Sequence, residues 1–227
     1  NKVNTYLKHL EPVIEAGPDA LIMTDPGLIL MVRERWPEQV IHLSVQSNVM
    51  NYASVKFWQT LGLERVILSR ELSLQEIQVI REKCPEIELE VFVHGALCMA
   101  HSGRCLLSGY FNHRDSNQGA CTNACRWKYD VKAVTEDAWG NAHIQSNGYV
   151  FEQTPQRQGE LNAMEEDEHG TYLFNSKDLR AIQHVETLAN MGIDCVKIEG
   201  RTKSYFYVAR TTKLYRSAID DDVAGRP

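Results

Sequence analysis

The chain has 227 residues, 43% of them hydrophobic and 24% charged, with a formal net charge of −6. No run approaches the ~18 consecutive apolar residues of a membrane helix, and NKVNTYLKHLEP at the start has no basic segment followed by an apolar one. The expectation is therefore a cytoplasmic protein without a membrane span, whose six cysteines sit in a reducing compartment where clustered thiols bind metal more often than they pair.

In chain order, Val3, Tyr6, Leu7, Leu10, Val13 and Ile14 keep helical spacing up to Gly17. Strands are predicted over 19–25 (DALIMTD), 40–46 (VIHLSVQ), 65–70 (RVILSR) and 88–94 (ELEVFVH). Before the last of these, Ser73-Leu74-Gln75-Glu76 has the S-x-x-E capping-box pattern, with Ile77 and Ile80 behind it on one face. Two more strands are predicted over 171–177 (TYLFNSK) and 195–201 (CVKIEGR). Between them, Leu179, Ile182, Val185 and Leu188 predict a helix over 178–192 that Gly192 closes.

The strand runs are rich in Val, Ile, Leu and Phe with little alternation, as parallel strands buried on both faces require. Strands alternating with helices predict an α/β fold with right-handed crossovers. About six βα units are visible, so the expected architecture is a partial TIM-like barrel occupying 1–227 as one domain. An eight-fold barrel needs roughly two more units upstream of the opening helix. An open doubly wound sheet competes, although no G-x-G-x-x-G follows the first strand.

Residues 133–170 break the rhythm. They are polar, and 136–168 carry eight acids against Arg157 alone, the composition of an insertion that is partly disordered or forms a small β excursion. Residues 98–132 are instead locally basic, with Arg104, Arg114, Arg126, Lys128 and Lys132 against Asp115 and Asp130. That suits a small anionic substrate, but it is a weak patch for nucleic acid.

The same 98–132 segment holds Cys98, Cys105, Cys121 and Cys125, spaced C-x6-C-x15-C-x3-C on a Gly-containing loop. Clustered thiolates suit a soft metal, either zinc or iron–sulfur. Only Cys121-x3-Cys125 has the spacing of a zinc knuckle, and the ferredoxin C-x2-C-x2-C run is absent. Spacing alone favours iron–sulfur and keeps zinc as the alternative. Cys84 and Cys195 each stand alone among apolar residues and read as structural.

In a parallel barrel the reactive groups stand at the C-terminal ends of the strands. The polar residues at those ends are Asp25, Gln46, Arg70, Glu71, His94, Asn175, Lys177, Glu199 and Arg201. Each alone is equally well explained as a helix cap or a loop ion pair. Cys98 follows His94 by four positions, which delivers the metal segment to the same rim. His94 and Glu199 are the acid–base candidates by position.

VHGALCMAHSGRCLLSGYF resembles the signature of the collagenase-like peptidases of family U32, and SVQ, SRELS, GACTNACRW and VKIEGRTKS resemble its other characteristic blocks. The resemblance covers nearly the whole chain and lapses only in 133–165. It is strongest to the branch that hydroxylates the wobble uridine of tRNA; other relatives hydroxylate ribosomal RNA or serve oxygen-independent ubiquinone synthesis. It implies a barrel-like catalytic domain with a 4Fe–4S cluster on Cys98, Cys105, Cys121 and Cys125. It also implies a further C-terminal domain and N-terminal βα units beyond this chain. The implied function is an RNA-modifying enzyme that forms 5-hydroxyuridine in tRNA, with prephenate as co-substrate. Arg70, Arg201 and Lys203 are then expected to bind the prephenate dianion, since guanidinium groups hold carboxylates bidentately. Gln46 and Glu71 are further substrate-binding candidates on that rim. Two alternatives stand beside this reading. One is a metal-dependent or thiol peptidase, although the chain has no H-E-x-x-H and no G-x-S-x-G, and a metal-bound cysteine is not a nucleophile. The other is a non-catalytic iron–sulfur module that needs a partner subunit.

Overall fold

The structure, a computed structural model, describes residues 2–98, 100–102, 104–114, 121–126, 129–136, 142–153, 161–164, 166–167, 170–171, 178–200 and 203–226. For Lys2, Arg126 and 129–171 it describes the backbone alone. The chain divides into two units, one of residues 1–105 with 177–227 and one of residues 106–176.

The first unit opens with α1 (Lys2–Glu15), β1 (Leu21–Met23), α2 (Pro26–Arg35), β2 (Ile41–Leu43), α3 (Tyr52–Thr60), β3 (Arg65–Ile67), α4 (Leu74–Lys83) and β4 (Glu88–Gly95). Among the described residues, the second unit holds α5 (Leu107–Asn112), a 3-10 turn (Ala124–Arg126), and a three-stranded antiparallel sheet of β5 (Tyr129–Glu136), β6 (Ala142–Gln153) and β7 (Leu161–Met164). It ends in the hairpin of β8 (Glu166–Asp167) and β9 (Gly170–Thr171). The chain then returns to the first unit with β10 (Leu179–Arg180), α6 (Val185–Asn190), β11 (Cys195–Glu199) and α7 (Tyr205–Val223). No helix among the described residues is long and apolar enough to cross a membrane.

Local chemistry sets the helix ends. Asp25 accepts the Leu28 N–H at 2.9 Å ahead of Pro26, and Asn51 accepts that of Ser54 at 2.9 Å. The capping box of Ser73 and Glu76 forms in full. Gly192, at φ 76°, closes α6 with the paired Gly192 N–H to Ala189 and Ile193 N–H to Leu188 bonds of a Schellman motif.

β1, β2, β3, β4 and β11 pair in parallel in that order, and β10 adds a two-residue antiparallel rung on β4. The sheet is mixed α/β and, among the described residues, not closed. Its two faces differ. One turns Leu43, Val66, Leu89, Val91 and Val93 onto Ile29 and Val32 of α2, Val55 of α3, Ile77 and Ile80 of α4, Leu188 of α6 and Tyr215 of α7. The register places Ile22, His42, Arg65, Glu90 and Cys195 on the other face. There the Glu90 carboxylate, only 6% exposed, lies 3.3 Å from Arg65 Nη1 and 3.1 Å from Lys197 Nζ. A charge buried this deeply persists because two cations flank it.

Three expectations shift. Among the described residues the parallel strands number five; of the strand expected over 171–177, Thr171 pairs in the β8–β9 hairpin and 172–177 lie outside the described residues. The helix expected over 178–192 begins later, because Leu179 and Arg180 pair with Gly95 and His94 as β10. The first three strands are also shorter than their apolar runs. Thr24 and Ser47, Ser44 and Gln46, and Ser69 and Asn48 bond to one another beyond the ladders and bend the chain into loops.

One glycine governs how β4 and β11 come together. Gly95 has φ 107°, and a Cβ there would run into the Glu199 carbonyl oxygen and lie 2.8 Å from Glu199 Cβ. Both obstacles involve the neighbouring strand rather than the tip of a flexible side chain. Gly95→Ala is therefore expected to cost at least about 3 kcal/mol, from the forbidden dihedral and the displaced strand together. Urea unfolding measures this; a midpoint equal to that of the parent would contradict the close approach.

Candidate functional site

The rim expected at the strand ends forms in the first unit. Arg70, three residues past β3, is 8% exposed and donates from Nη2 to Glu199 Oε2 at 3.0 Å. Its Nη1 donates to the Ala96 carbonyl at 2.9 Å and lies 3.4 Å from Cys98 Sγ. The guanidinium stacks on the Phe92 ring, 3.9 Å from its centroid. Arg70 Nε is buried without a hydrogen-bond partner among the described residues. One planar cation thus ties together the ends of β3, β4 and β11 and the start of the cysteine segment.

His94 is set by a helix from the far end of the chain. Tyr215 of α7 donates its hydroxyl to the Val93 carbonyl at 2.7 Å and accepts the Ala181 N–H at 3.2 Å. The same oxygen lies 3.3 Å from His94 Nδ1. Tyr215 has one proton and spends it on Val93, so Nδ1 must be the donor and Nε2 of neutral His94 keeps its lone pair. Burial pushes the His94 pKa below its ordinary value, Asp178 opposes that, and Arg180 and Lys203 reinforce it. Beside the ring, Asp178 Oδ2 accepts from Lys203 Nζ at 3.0 Å and from the Tyr207 hydroxyl at 3.4 Å, with the Tyr207 ring centroid 5.8 Å from that of His94. Tyr215, Tyr207 and Asp178 escaped the sequence reading. The one available signal was the position of Tyr207, Thr211 and Tyr215 on a single stripe of α7.

Glu71 belongs to a neighbouring loop cluster. The Ser69 hydroxyl sits between the Glu71 carboxylate and Asn48 Oδ1, and His101 Nδ1 lies 3.5 Å from Glu71 Oε1. Gln46 occupies the 3-10 turn after β2, where its N–H donates to Ser44 Oγ at 3.2 Å. Asp25 serves as the α2 cap. Arg201, Asn175 and Lys177 lie outside the described residues.

A family model described as Peptidase family U32 matches residues 1–227. The chain belongs to that family. It is 58% identical to tRNA hydroxylation protein P of Escherichia coli (strain K12), over 100% of this chain and 54% of that protein. It is 55% identical to the Haemophilus influenzae protein of the same name, again over 100% and 54%. It is 31% identical to the 23S rRNA 5-hydroxycytidine C2501 synthase of Escherichia coli, over 91% of this chain and 27% of that enzyme. The chain thus spans about half the length of the first two relatives.

The four candidate metal ligands of this U32 chain fall in different units by sequence. Cys98 and Cys105 belong to the first and Cys121 and Cys125 to the second. None is in a disulfide. Among the described residues, no group of three or more His, Cys, Asp or Glu side chains stands close enough to hold a metal ion. The surroundings of the individual sulfurs nonetheless fit thiolate ligands. Cys98 Sγ faces the Arg70 guanidinium at 3.4 Å. Cys121 Sγ receives the Asn123 N–H at 3.4 Å and faces Ser108 Oγ at 3.7 Å, in a turn that Asn123 makes at φ 55°. Cys121 Sγ also faces Asn123 Oδ1 at 3.5 Å, and donors aimed at sulfur suit a metal-bound thiolate. Buried Cys84, whose thiol burial pushes up, lacks that character, as does Cys195, raised by burial and by Glu90.

Two outcomes follow from these contacts. Arg70→Ala removes the guanidinium from Glu199, the Ala96 carbonyl and Cys98, and is expected to cost about 2–3 kcal/mol in urea unfolding. Arg70→Lys should restore only part of this, since an ammonium cannot span all three partners in one plane. His94 and His42 both have pKa values lowered, first by burial. The unfolded chain binds their protons more readily, so stability is fully present above about pH 6.5 and falls as pH drops through the folded values. The urea midpoint should therefore fall between about pH 7.5 and about pH 5.5, and fall less in His42→Gln. A flat midpoint in the parent over that interval would show that neither ring is held neutral.

Proposed function

We propose that this chain is the catalytic part of a cytoplasmic RNA-modifying enzyme that converts the wobble uridine of tRNA to 5-hydroxyuridine. The observation that carries this reading is the high identity, across the whole chain, to two proteins named for tRNA hydroxylation. Identity to an rRNA hydroxycytidine synthase supports the chemical class, since oxygen joins a pyrimidine ring in both. Replacing C5–H by C5–OH oxidises the base by two electrons, so the oxygen comes either from a donor that is itself reduced by two electrons or from water with two electrons passed to an acceptor, and the C5 proton must be taken up. The base must leave its stack to reach a rim of side chains.

Named residues suit each task. Neutral His94, with its lone pair on Nε2, is the group to accept the C5 proton. Glu199, bound to Arg70, is the second acid–base candidate. Prephenate is the proposed co-substrate. The buried, unpartnered Nε of Arg70 and the ammonium of Lys203 support a dianion site there, with Arg201, Gln46 and Glu71 as its further proposed contacts.

Cys98, Cys105, Cys121 and Cys125 are the proposed holders of a 4Fe–4S cluster, with zinc the alternative occupant. Such a cluster supplies one-electron transfer when bound, and four thiolates leave its irons no open position. The fold reading extends likewise. Five parallel strands with the hydrophobic core on one face, and a charged layer on the other, are the parts of a TIM-like barrel whose charged layer becomes the interior once further units close it.

The test is nucleoside analysis of tRNA from cells lacking the gene, complemented with the parent or with Cys98→Ala. Loss of 5-hydroxyuridine, restored by the parent and not by the variant, is the expected result. An unchanged wobble uridine in the deletion would sink the reading. Anaerobically purified parent protein should be brown and carry iron and sulfide, both depleted in Cys98→Ala; stoichiometric zinc in a colourless protein would replace the cluster assignment.

A further inference from the structure

We infer that the solvent face of α7 is the platform on which the RNA substrate docks, by base stacking on Tyr205 and Phe206 and by phosphate contacts to Arg210 and Lys213. The inference rests on the tRNA hydroxylase reading and names the surface that reading leaves open.

The helix has two distinct faces. Tyr207, Thr211 and Tyr215 turn inward, the last two being buried. Residues about half a turn away point out. Among these, Tyr205 is 90% exposed and Phe206 59% exposed, on consecutive positions at the start of α7. Large rings left this open gain nothing for the fold, since an exposed ring buries little apolar surface. Leu214, 64% exposed, flanks the same face.

Charge separates an RNA from an apolar partner. The chain is net acidic, at −6, yet residues 203–219 carry Lys203, Arg210, Lys213 and Arg216 and no acidic residue at all. The acids return together at Asp220, Asp221 and Asp222, in the last turn of α7. On the exposed face, Arg210 lies over the Phe206 ring at 5.3 Å, and Lys213 follows one turn on. Rings interleaved with cations are what single-stranded RNA requires, because every base offers a π-face and every link a phosphate. A protein partner matching this face would be acidic throughout its core, which interface cores avoid.

Position supports the same occupant. Tyr207, next after Phe206, has its ring 5.8 Å from that of His94 and its hydroxyl on Asp178. Tyr205 and Phe206 thus stand on the outward face of the same helical turn whose inward face touches the candidate base. Stacking on α7 would hold the neighbours of a flipped uridine while its ring enters the rim.

The test uses the full-length protein and a fluorescein-labelled tRNA anticodon stem–loop, followed by anisotropy. Tyr205→Ala and Phe206→Ala should each weaken binding by about fivefold to a hundredfold, the range for one lost base stack. The Arg210→Gln/Lys213→Gln pair should weaken it and reduce the slope of log K against log salt by about 1.4. Melting temperature, iron content and oligomeric state should stay at parent values, because these side chains are solvent-facing. Parent-like affinity in both sets of variants would overturn the inference. So would changed melting or oligomeric state without changed affinity, which would assign the face to a protein contact. In cells, these variants should make less 5-hydroxyuridine. Normal 5-hydroxyuridine in them, with loss in the gene deletion, would remove the docking face and leave the hydroxylase reading standing; no loss in the deletion would remove the hydroxylase reading itself.

Discussion

The backbones of β4 and β11 pass so closely at Gly95 that no side chain fits between them, and the rest of the rim depends on that approach. It brings Glu199 within reach of Arg70, whose own position is fixed at the end of β3. It also sets where the chain leaves the sheet, since Ala96 and Cys98 follow directly and both meet the same guanidinium. A side chain at position 95 would separate the strands and break three contacts of Arg70 with one change. The conformation that admits this crossing, φ 107°, is open to glycine at little steric cost, so the motif contains the residue that the geometry demands.

Burying Arg70 and Glu90 would be unfavourable if either stood alone. Each is instead enclosed by groups of opposite charge or matched shape: Glu199 and the Phe92 ring for Arg70, Arg65 and Lys197 for Glu90. Such pairs add little net stability compared with apolar residues of equal volume, but removing one member leaves a stranded charge. The energetic signature of the charged face is thus low gain and high penalty for disruption. That suits a surface kept for chemistry better than one kept for packing. It also explains why Ile67, on the same face, is buried yet lies outside the main hydrophobic cluster.

Much of this was legible in the sequence where the signal is local. The Ser73–Glu76 capping box and the Gly192 terminator act within one helical turn, and both formed as expected. The strand-end rule brought Arg70 and Glu199 to one point although 129 residues separate them, because polar residues that close apolar runs emerge at the same edge of a parallel sheet. The rule fails for partners supplied by helices. Tyr215 looks like one more aromatic on an amphipathic stripe, and nothing local reveals that its hydroxyl reaches Val93 and His94 across 121 residues. Leu179 misled for a related reason. Its spacing from Ile182 is helical, but the open edge of β4 at His94 and Gly95 offers backbone bonds that a short strand takes first.

The hydrogen-bond order around Tyr215 gives His94 a chemical character that neither burial nor sequence supplies alone. Burial lowers its proton affinity but leaves open which nitrogen is bare. Tyr215 decides that. Its proton is committed to a carbonyl that can only accept, so its oxygen must receive the His94 Nδ1 proton, and the lone pair is left on Nε2. The Ala181 N–H on the same oxygen strengthens that commitment, because both lone pairs of the phenol are then occupied. A residue on α7 therefore fixes the tautomer of a residue on β4. The helix that fixes the His94 tautomer is the one whose other face carries Tyr205, Phe206, Arg210 and Lys213. Recognition of an RNA strand and orientation of the group that acts on it would then reside in a single rigid element, as a reaction at one carbon of one base requires.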